Sequence, residues 1–502
     1  MFSSQQKENQ LSEQIHKELE TNVTILKDQF SYPLNSDFSM KELFIRSIQA
    51  KATLVYLEGT VDGAEIQNHI IAPLMDQQSE PQHDNGLILL EKTIPIKGIS
   101  RLSTIEGVAE ELIHGNTILL INGYEEAISI PTVGYEHRGI DKPQTETSLK
   151  GPLESFVESS GVNRSLIRKQ LRSHQLVSET ISIGNHNNTK VSMLYMKDIA
   201  NPELIKNVQE RVKQIESADV QNLSLLEQHI EERTYSLVPS VLYTERPDRA
   251  AAFLKEGHIV LLMDSSPASL IVPVTFWSFF HTAEDSYQRV IYGSFTRIVR
   301  ILAIFIALLA PSFYIAITNH HVAMVPTDLV LAIAATRETV PFPAIFELII
   351  MELAFEILRE AGLRIPTPMG PTIGIVGALI LGQAAVEANI VSPILVIVIA
   401  ITGLASFAIP DLSLSFMIRI SRFFFLAAAT AFGFFGLGIC LTLGVAYIVS
   451  LKSFGVAFLS PMTPHYRSSK DLILRMPIWK QWLRPFNIHP KDQIRKEKPE
   501  GR

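Results

Sequence analysis

Four glutamates interrupt a strongly apolar stretch, PFPAIFELIIMELAFEILREAG, which runs from residue 341 to 362. A helix advances about 100° per residue, so Glu352, Glu356 and Glu360 fall within an arc of roughly 80°, while Glu347 lies well off it. Carboxylates at membrane depth are unfavourable unless they face protein or water. Two uses are open: a solvated or salt-bridged structural face, or a ring of carboxylates that concentrates cations when the helix repeats about a symmetry axis.

Gln383 and Glu387 lie at the end of a neighbouring apolar run that starts at residue 371. Polar and ionisable groups in such runs mark ion pathways when they face water inside a bundle of helices. The candidate lining of an ion pathway therefore comprises Glu352, Glu356, Glu360, Gln383 and Glu387.

Other kinds of chemistry find little support in the residues present. Cys440 is the single cysteine, so neither an intramolecular disulfide nor a cysteine metal cluster is possible. His320 and His321 are adjacent, but no third ligand follows nearby, so we predict no metal site. No Ser-His-Asp spacing or nucleotide-binding motif is present. We expect no enzyme activity, no cofactor and no nucleic-acid partner.

A second charged motif, TERPDR at residues 244–249, precedes the first long apolar run. Its side chains Arg246, Asp248 and Arg249 are candidates for a joint that couples a soluble domain to membrane helices. The alternative is a salt-bridged turn at the protein surface.

Charge nearly disappears between residues 301 and 451, where Leu, Ile, Val, Ala, Phe and Gly dominate. Apolar runs of this length predict membrane-spanning helices. We predict about four spans, near 299–318, 371–388, 391–410 and 423–450. The stretch 341–362 is predicted to be an amphipathic helix at the interface, or one packed inside an assembly.

Flanking positive charge predicts the orientation of these spans. Arg297 and Arg300 lie on the side of the N-terminal region, and the basic tail from residue 452 is expected on that same side. An even number of crossings follows. With four spans, Arg419 and Arg422 fall on the outer side, against the positive-inside rule.

Glycines in the apolar third allow helices to approach closely where lipid supplies no hydrophobic drive. These glycines allow close helix packing either within one subunit or at an interface between subunits. The candidate packing positions are Gly374, Gly377, Gly382, Gly433 and Gly436.

The polar N-terminal region contains an internal repeat. Segments beginning at Lys51 and Lys190 each give a strand-like run, a polar turn and a helical pattern. A second pair, from Glu111 and Phe253, gives a helix end, a glycine, a strand, a turn and another strand. Because strand and helix patterns alternate in both copies, we predict an α/β cytoplasmic domain of two related subdomains.

The polar N-terminus lacks an apolar core typical of signal peptides, and the net charge of -7 averages an acidic front and a basic end. The predicted connector carries four basic residues, Arg164, Arg168, Lys169 and Arg172, as either a solvated face or a contact for an acidic partner or lipid headgroups. The predicted units are a flexible N-terminal arm (1–39), soluble subdomain 1 (40–133), a helical connector (134–185), soluble subdomain 2 (186–290), an α-helical transmembrane domain (291–451) and a basic cytoplasmic tail (452–502).

Long segments of the chain resemble the A subunit of the GerA-type spore germinant receptors and the closely similar SpoVAF membrane protein of the same family. The resemblance covers nearly all of the chain from about residue 40. The matching segments are residues 341–410, GPLESFVESSGVNRSLIRKQL from Gly151, YTERPDRAAAFLKEGHIVLLMD from Tyr243, and SLKSFGVAFLSPMTP after the last apolar run.

This resemblance implies a multi-pass protein in the inner membrane lipid bilayer of bacterial spores, with both termini on the cytoplasmic (core) side. Receptor A subunits of this family work with B and C subunits, and SpoVAF-like members with a small partner membrane protein. The A subunit is viewed as a homo-oligomer, often a pentamer, that conducts monovalent cations in response to nutrients. SpoVAF-like members are viewed as accessory channels that amplify ion release.

Two other functions compete with a channel. A carrier is disfavoured because the internal repeat lies in the soluble half and not among the spans. A scaffold that only holds receptor subunits together predicts that Glu352, Glu356 and Gln383 can be neutralised without changing ion release.

Overall fold

The structure is a computed structural model. It describes residues 14–75, 86–135, 142–143, 146–148, 150–184, 188–217, 220–364, 382–466 and 471–496. Two α/β subdomains are followed by a region of long helices and then by the C-terminal tail.

The first subdomain is built on an antiparallel sheet of five strands in the order β1-β2-β4-β5-β3. These strands are β1 (Phe38–Ile45), β2 (Ala50–Leu57), β3 (Ser100–Leu102), β4 (Thr117–Ile121) and β5 (Ala127–Ile130). Its helices are α1 (Leu19–Gln29), α2 (Gly63–Glu65), α3 (Ala72–Met75), α4 (Gly86–Thr93) and α5 (Ile105–Ile113), with a π-helical turn (Ile66–Ile71) between α2 and α3 and a 3-10 turn at Arg46–Ile48.

The second subdomain repeats this topology as β6-β7-β9-β10-β8. Its strands are β6 (Leu176–Ile183), β7 (Thr189–Met196), β8 (Leu242–Thr244), β9 (Ile259–Met263) and β10 (Ser269–Val272). Its helices are α6 (Ser160–Gln170), α7 (Pro202–Lys213), α8 (Leu223–Ile230), α9 (Pro247–Leu254), α10 (Phe276–Phe280) and α11 (Ala283–Tyr287). Identical strand order in the two sheets confirms the internal repeat. Gly115 and Gly257 end the matching helices α5 and α9, both with positive φ.

Both sheets are covered on both faces, which explains why their central strands are continuously apolar. In β4, Ile118 packs with α1 and α5 on one face, and Leu119 packs against the opposite face. In β9, Val260 and Leu261 likewise face opposite clusters. The cluster that contains Val260 also contains residues of the long helices, so the second sheet packs directly on the helical region.

The N-terminal arm differs from its prediction over the described residues 14–39. Helix α1 packs on the first sheet, and Leu26 and Phe30 are fully buried. The polar sequence hid this helix because its apolar side chains are few and widely spaced. Residues 1–13 lie outside the described part of the chain.

The connector also differs from its prediction. Strand β6 lies inside the range 134–185 and pairs with β7, so the second sheet begins before residue 186. The basic residues of α6 bind acidic groups of the same chain: Arg168 Nε donates to Asp37 Oδ2 over 2.7 Å, Arg164 binds the same carboxylate, and Lys169 binds Glu154. The prediction of a solvated basic face is therefore wrong for these three residues, which form ion pairs within the chain.

The helical region contains five helices of ten residues or more among the described residues: α12 (Val290–Ile315), α13 (Thr327–Arg337), α14 (Ala344–Arg364), α15 (Pro393–Phe407) and α16 (Leu412–Ser450). A π-helical turn (Ala316–His320) extends α12, a 3-10 turn (Val322–Met324) precedes α13, and residues 382–387 are also helical. Two of the described helical stretches, Val290–His320 and Leu412–Ser450, are long and apolar enough to cross a membrane. The count of four spans stays a prediction, and 371–381 lies outside the described residues.

Helix α16 folds back on itself at Gly433, whose φ of 59° and ψ of -138° are non-helical. Leu414 near its start and Leu451 just after its end belong to the same buried cluster on the second sheet. A Cβ on Gly433 would lie 2.7 Å from His321, so the fold-back point meets the far end of α12. The predicted span 423–450 is therefore not one continuous crossing.

The structure places Arg419 beside the soluble domain, whereas a four-span arrangement puts it on the outer side. Arg419 lines the same cavity as Arg249 and Arg300, on the side of the soluble domain. These three arginines therefore lie at one end of the long helices.

The C-terminal tail packs on the second subdomain over its described residues. It forms a two-stranded hairpin, β11 (Lys452–Ser453) with β12 (Val456–Ala457), and 3-10 turns at Ile478–Lys480 and Phe486–Ile488. Lys491 N donates to Ile199 O over 2.8 Å, and Arg484 Nε to Lys255 O over 3.0 Å. The tail and the N-terminal domain therefore lie on the same side of the long helices.

Candidate functional site

The opening glutamates of α14 meet arginines of α16. Glu352 is 1% exposed and forms an ion pair with Arg422 at 3.2 Å. Glu356 accepts a hydrogen bond from Arg422 Nη2 over 3.0 Å and also binds Arg419. Of the two uses left open by the sequence, these two carboxylates fit the salt-bridged one within a single chain.

The spacing of these charges matches across the two helices. Glu352 and Glu356 are one turn apart on α14, and Arg419 and Arg422 are about one turn apart on the first arm of α16. A buried carboxylate needs such a partner because desolvation disfavours its charge. Paired spacings of opposite sign in two apolar runs were the signal in the sequence that could have revealed this cluster.

Glu347 forms a separate contact near the start of α14. Its side chain is fully buried, accepts a hydrogen bond from Ser392 N over 2.9 Å and lies 3.5 Å from Arg337 Nε. Ser392 precedes α15 and Arg337 ends α13, so this carboxylate ties three helices together. Its position off the arc of the other glutamates agrees with this separate role.

Of the remaining predicted pathway residues, Gln383 and Glu387 lie apart from the paired cluster. Glu360 is exposed one turn beyond Glu356. Gln383 Nε2 donates to Glu387 Oε1 over 3.0 Å on an exposed helical segment, and no described contact joins this pair to the arginines of α16. Gln383 and Glu387 are thus brought together with each other and not with Glu352.

The predicted packing glycines divide into three groups. Gly374 and Gly377 lie outside the described residues. Gly382 is buried, where a Cβ would contact Val396 at 3.5 Å. Gly433 forms the fold-back of α16, and a Cβ on Gly436 would lie 2.1 Å from Ala428 O on the other arm. Gly433 and Gly436 therefore serve packing within the chain.

The TERPDR segment forms a buried node, not the alternative surface turn. Arg246 is 2% exposed and binds Asp248 through two nitrogens, Nε at 3.1 Å and Nη2 at 2.9 Å. It also donates to Ser148 Oγ over 2.7 Å and to Pro152 O over 3.0 Å. Arg249 binds Glu146, so α9 is fastened to the segment that precedes α6.

This node continues into the start of the long helices. Tyr287 at the end of α11 donates its hydroxyl to Asp248 Oδ2 over 2.6 Å, and burial followed by this hydrogen bond raises the pKa of the phenol. Arg249 Nη2 donates to Ser278 O over 2.7 Å. The segment between these contacts leads into α12, so the node joins the soluble domain to the first long helix.

A second ion-pair group fixes the beginning of α12. Arg300 Nη1 donates to Asp285 Oδ2 over 2.7 Å, and Arg297 donates to both Asp285 and Asp471 of the tail. Burial alone raises the pKa of Asp285, but the hydrogen bond and charge of Arg300 outweigh it, so this pKa lies below its usual value. Sequence reasoning used Arg297 and Arg300 only as topology markers and missed these partners.

Comparison with known proteins identifies the family. The family model described as "Bacillus/Clostridium GerA spore germination protein" matches residues 24–487. The crystal structure of the N-terminal domain of the A subunit of the Bacillus megaterium spore germinant receptor GerK3 overlaps with 53% of this chain and 99% of that chain, at 26% identity and a TM-score of 0.43.

Relatives extend over most of the sequence. "Spore germination protein KA" of Bacillus subtilis (strain 168) is 38% identical over 466 residues, 92% of this chain and 86% of that protein. "Spore germination protein GerLA" of Bacillus cereus is 35% identical over 470 residues, 93% of this chain and 95% of that protein. The chain belongs to the GerA family of spore germination proteins.

Proposed function

We propose that this protein is a non-enzymatic membrane subunit of a spore germination receptor, and that copies of it assemble into a nutrient-responsive cation channel. The names of its relatives support a role in germination. The proposed location is the inner membrane of the spore, with both termini on the core side. Packing of the tail on the N-terminal domain supports termini on one side.

The observation that carries the channel proposal is the glutamate–arginine cluster held inside otherwise apolar helices. Ionisable groups buried among apolar membrane helices are retained for function more often than for stability, because apolar packing could replace them. Glu352 and Glu356 sit on α14, and both of their arginine partners sit on α16. A sliding of one helix past the other would expose the carboxylates to a water-filled path.

The joint between soluble domain and helices supplies a route for the stimulus. Asp248, the partner of Arg246, accepts a hydrogen bond from Tyr287 just before α12. Helix α12 packs against α16 near the fold-back at Gly433. A change in the soluble domain would therefore reach the helix that holds Arg419 and Arg422. The two-state element is the pairing of α14 with α16, closed when the ion pairs form.

Exposed apolar surface supports assembly with further copies. Helix α13 has no buried residue, and α14 exposes a stripe at helical spacing: Phe346, Ile350, Leu353 and Ile357. Lipid or protein must cover these side chains. The family resemblance favours a homo-oligomer, a pentamer being the expected number, together with B and C subunits or a small partner membrane protein.

A non-conducting scaffold is the second candidate, and the internal pairing of Glu352 and Glu356 favours it. Both carboxylates already have arginine partners within one chain, as is expected of glutamates with a structural role. An accessory channel of the SpoVAF type would share the conducting mechanism and differ only in its partners.

Potassium release from liposomes that contain the purified protein tests the proposal. We expect Glu352→Gln or Glu356→Gln to change the potassium flux, because each removes both a closing ion pair and a carboxylate of the pathway, whereas Glu210→Gln on the exposed face of α7 leaves it unchanged. The double substitution Glu352→Gln with Arg422→Gln removes one negative and one positive charge together. It therefore tests the loss of the carboxylate without leaving its arginine partner unpaired. Unaltered flux in this folded double variant would favour the scaffold. If wild type alone is silent, the same series is run with the partner subunits and nutrient.

A further inference from the structure

A cavity of about 470 Å³ lies where the soluble domain meets the long helices. Its walls come from the TERPDR node, the beginning of α12, the second half of α14, the end of α15 and the beginning of α16. Five arginines line it: Arg246, Arg249, Arg300, Arg359 and Arg419.

Four of these arginines are committed to carboxylates of the same chain. The pairs are Arg246 with Asp248, Arg249 with Glu146, Arg300 with Asp285, and Arg419 with Glu356. The acidic lining groups are also engaged: besides Glu146, Asp411 accepts from Leu414 N over 2.9 Å, and Glu284 accepts from Gln288 Nε2 over 2.9 Å.

Arg359 is the exception among the described residues, because none of their carboxylates lies within ion-pair distance of it. Its guanidinium stacks 4.5 Å from the ring centre of Phe407 and 5.3 Å from that of Phe355. It donates to Ser406 Oγ, and its buried Nε has no hydrogen-bond partner in the described part of the chain. Aromatic stacking thus positions a guanidinium whose remaining donors are available to an anion.

The rim of the cavity is apolar and exposed. Phe407, Leu412 and Phe416 line it and are 66%, 55% and 46% exposed. These side chains lie where the helices leave the soluble domain, which the membrane placement proposed above puts near the lipid headgroups. A guanidinium without a carboxylate partner, beside an apolar rim, matches an amphiphile with an anionic head.

We propose that this cavity binds the headgroup phosphate of an anionic phospholipid, with Arg359 as the principal contact. Basic pockets between membrane helices on the cytoplasmic side suit such headgroups, and the planar guanidinium can bind phosphate through two N–H groups. The inference rests on the membrane placement proposed above. It places a lipid between α14, α15, α16 and the coupling node, where its binding would favour one arrangement of these helices.

Native mass spectrometry of the full chain in neutral detergent tests this proposal. The protein is titrated with phosphatidylglycerol or phosphatidylcholine, with and without inorganic phosphate. We expect preferential retention of phosphatidylglycerol, about fivefold weaker in Arg359→Gln, since one basic residue near a membrane surface contributes about a factor of five. Arg233→Gln is the matched control, because Arg233 contacts Ser450 at the end of α16 but does not line the cavity.

Three results would overturn the lipid site. They are equal retention of the two lipids by wild type, equal phosphatidylglycerol binding by Arg359→Gln and Arg233→Gln, and displacement of the lipid by inorganic phosphate at similar concentration. If Arg359→Gln fails to fold, Arg359→Lys keeps the charge but loses the stack and fork, and the wild-type comparison of lipids still decides. Recovery of the protein outside the membrane fraction would instead refute the membrane placement itself.

Discussion

Three buried ion pairs lie in different parts of the described chain. Arg246 with Asp248 is enclosed in the soluble domain, Arg422 with Glu352 in the helical region, and Asp37 with Arg168 between the subdomains. Removing one member of such a pair leaves the other desolvated and alone, which destabilises more than the pair itself stabilises. Each of these residues is therefore a sensitive position for substitution.

Substitution Arg246→Gln should lower the free energy of unfolding by about 3–5 kcal/mol, because Asp248 stays buried without its cation. The matched control is Arg101→Gln, since Arg101 pairs with Glu91 at a solvent-accessible site, and its loss should change stability by at most about 1 kcal/mol. Thermal unfolding of the full chain in detergent measures both. Equal effects of the two substitutions would show that the node is not a buried joint.

Glu227 on α8 should make stability depend on pH. Burial, then the charges of Glu231 and Asp411, raise its pKa to about 7. The folded state therefore binds this proton more tightly than the unfolded chain, whose carboxyl pKa is about 4.3. Protonated Glu227 therefore contributes to the free energy of unfolding. This contribution is fully present below the pKa of the unfolded chain and is lost as pH rises through about 7.

The unfolding temperature of wild type should fall between about pH 5 and pH 8 more than that of Glu227→Gln, which lacks the titrating proton. Glu210→Gln, an exposed change on α7, should keep the wild-type slope. Parallel pH curves for wild type and Glu227→Gln would contradict a raised pKa at this position.

At the scale of elements, the two sheets were predictable and the fold-back of α16 was not. The sheets follow from apolar runs bounded by turns, repeated twice with the same spacing. Several glycines punctuate the last apolar run, and nothing local distinguishes Gly433 from Gly436, Gly438 or Gly444. Only packing against the end of α12 selects Gly433 as the turning point.

Substitution Gly433→Ala should destabilise the helical region by about 1–3 kcal/mol, because its backbone conformation is nearly restricted to glycine. The added Cβ would also lie 2.7 Å from His321. Gly438→Ala is the control, since no neighbour lies within 4 Å and alanine favours a helix. A straight helix through residue 433 would instead show no loss of unfolding temperature for either variant.

At the scale of the whole molecule, long-range pairing explains what the sequence could not reveal. The glutamates of α14 were identified as unusual and the matching spacing of Arg419 and Arg422 was present in the sequence, but only the assembled fold shows that these residues pair. The coupling residues were identified from charge, yet their burial depends on Ser148 and Pro152, about a hundred residues away in the chain. Local patterns determine elements, whereas charge pairs between distant elements require the assembled fold.

The contact between the two subdomains should depend on Asp37, which binds Arg164 and Arg168 of α6. Substitution Asp37→Asn should speed amide hydrogen exchange in α6 and in residues 31–37, while exchange in β4 and β9 stays slow, because each sheet keeps its own core. Asp62→Asn changes only a cap within the first subdomain and serves as the control. If Asp37→Asn changed exchange equally in all of these segments, or in none of them, Asp37 would not form a specific joint between the subdomains.

The reversal potential across a potassium chloride gradient tests the channel most directly. It is measured in planar bilayers that contain wild type or Glu356→Gln, with partner subunits and nutrient where wild type needs them. If this carboxylate lines a cation channel, the wild-type reversal potential should lie near the equilibrium potential of potassium. In Glu356→Gln the reversal potential should shift towards zero. Identical potential and conductance in the two correctly assembled proteins would contradict an ion pathway at α14 and leave its glutamates a structural role.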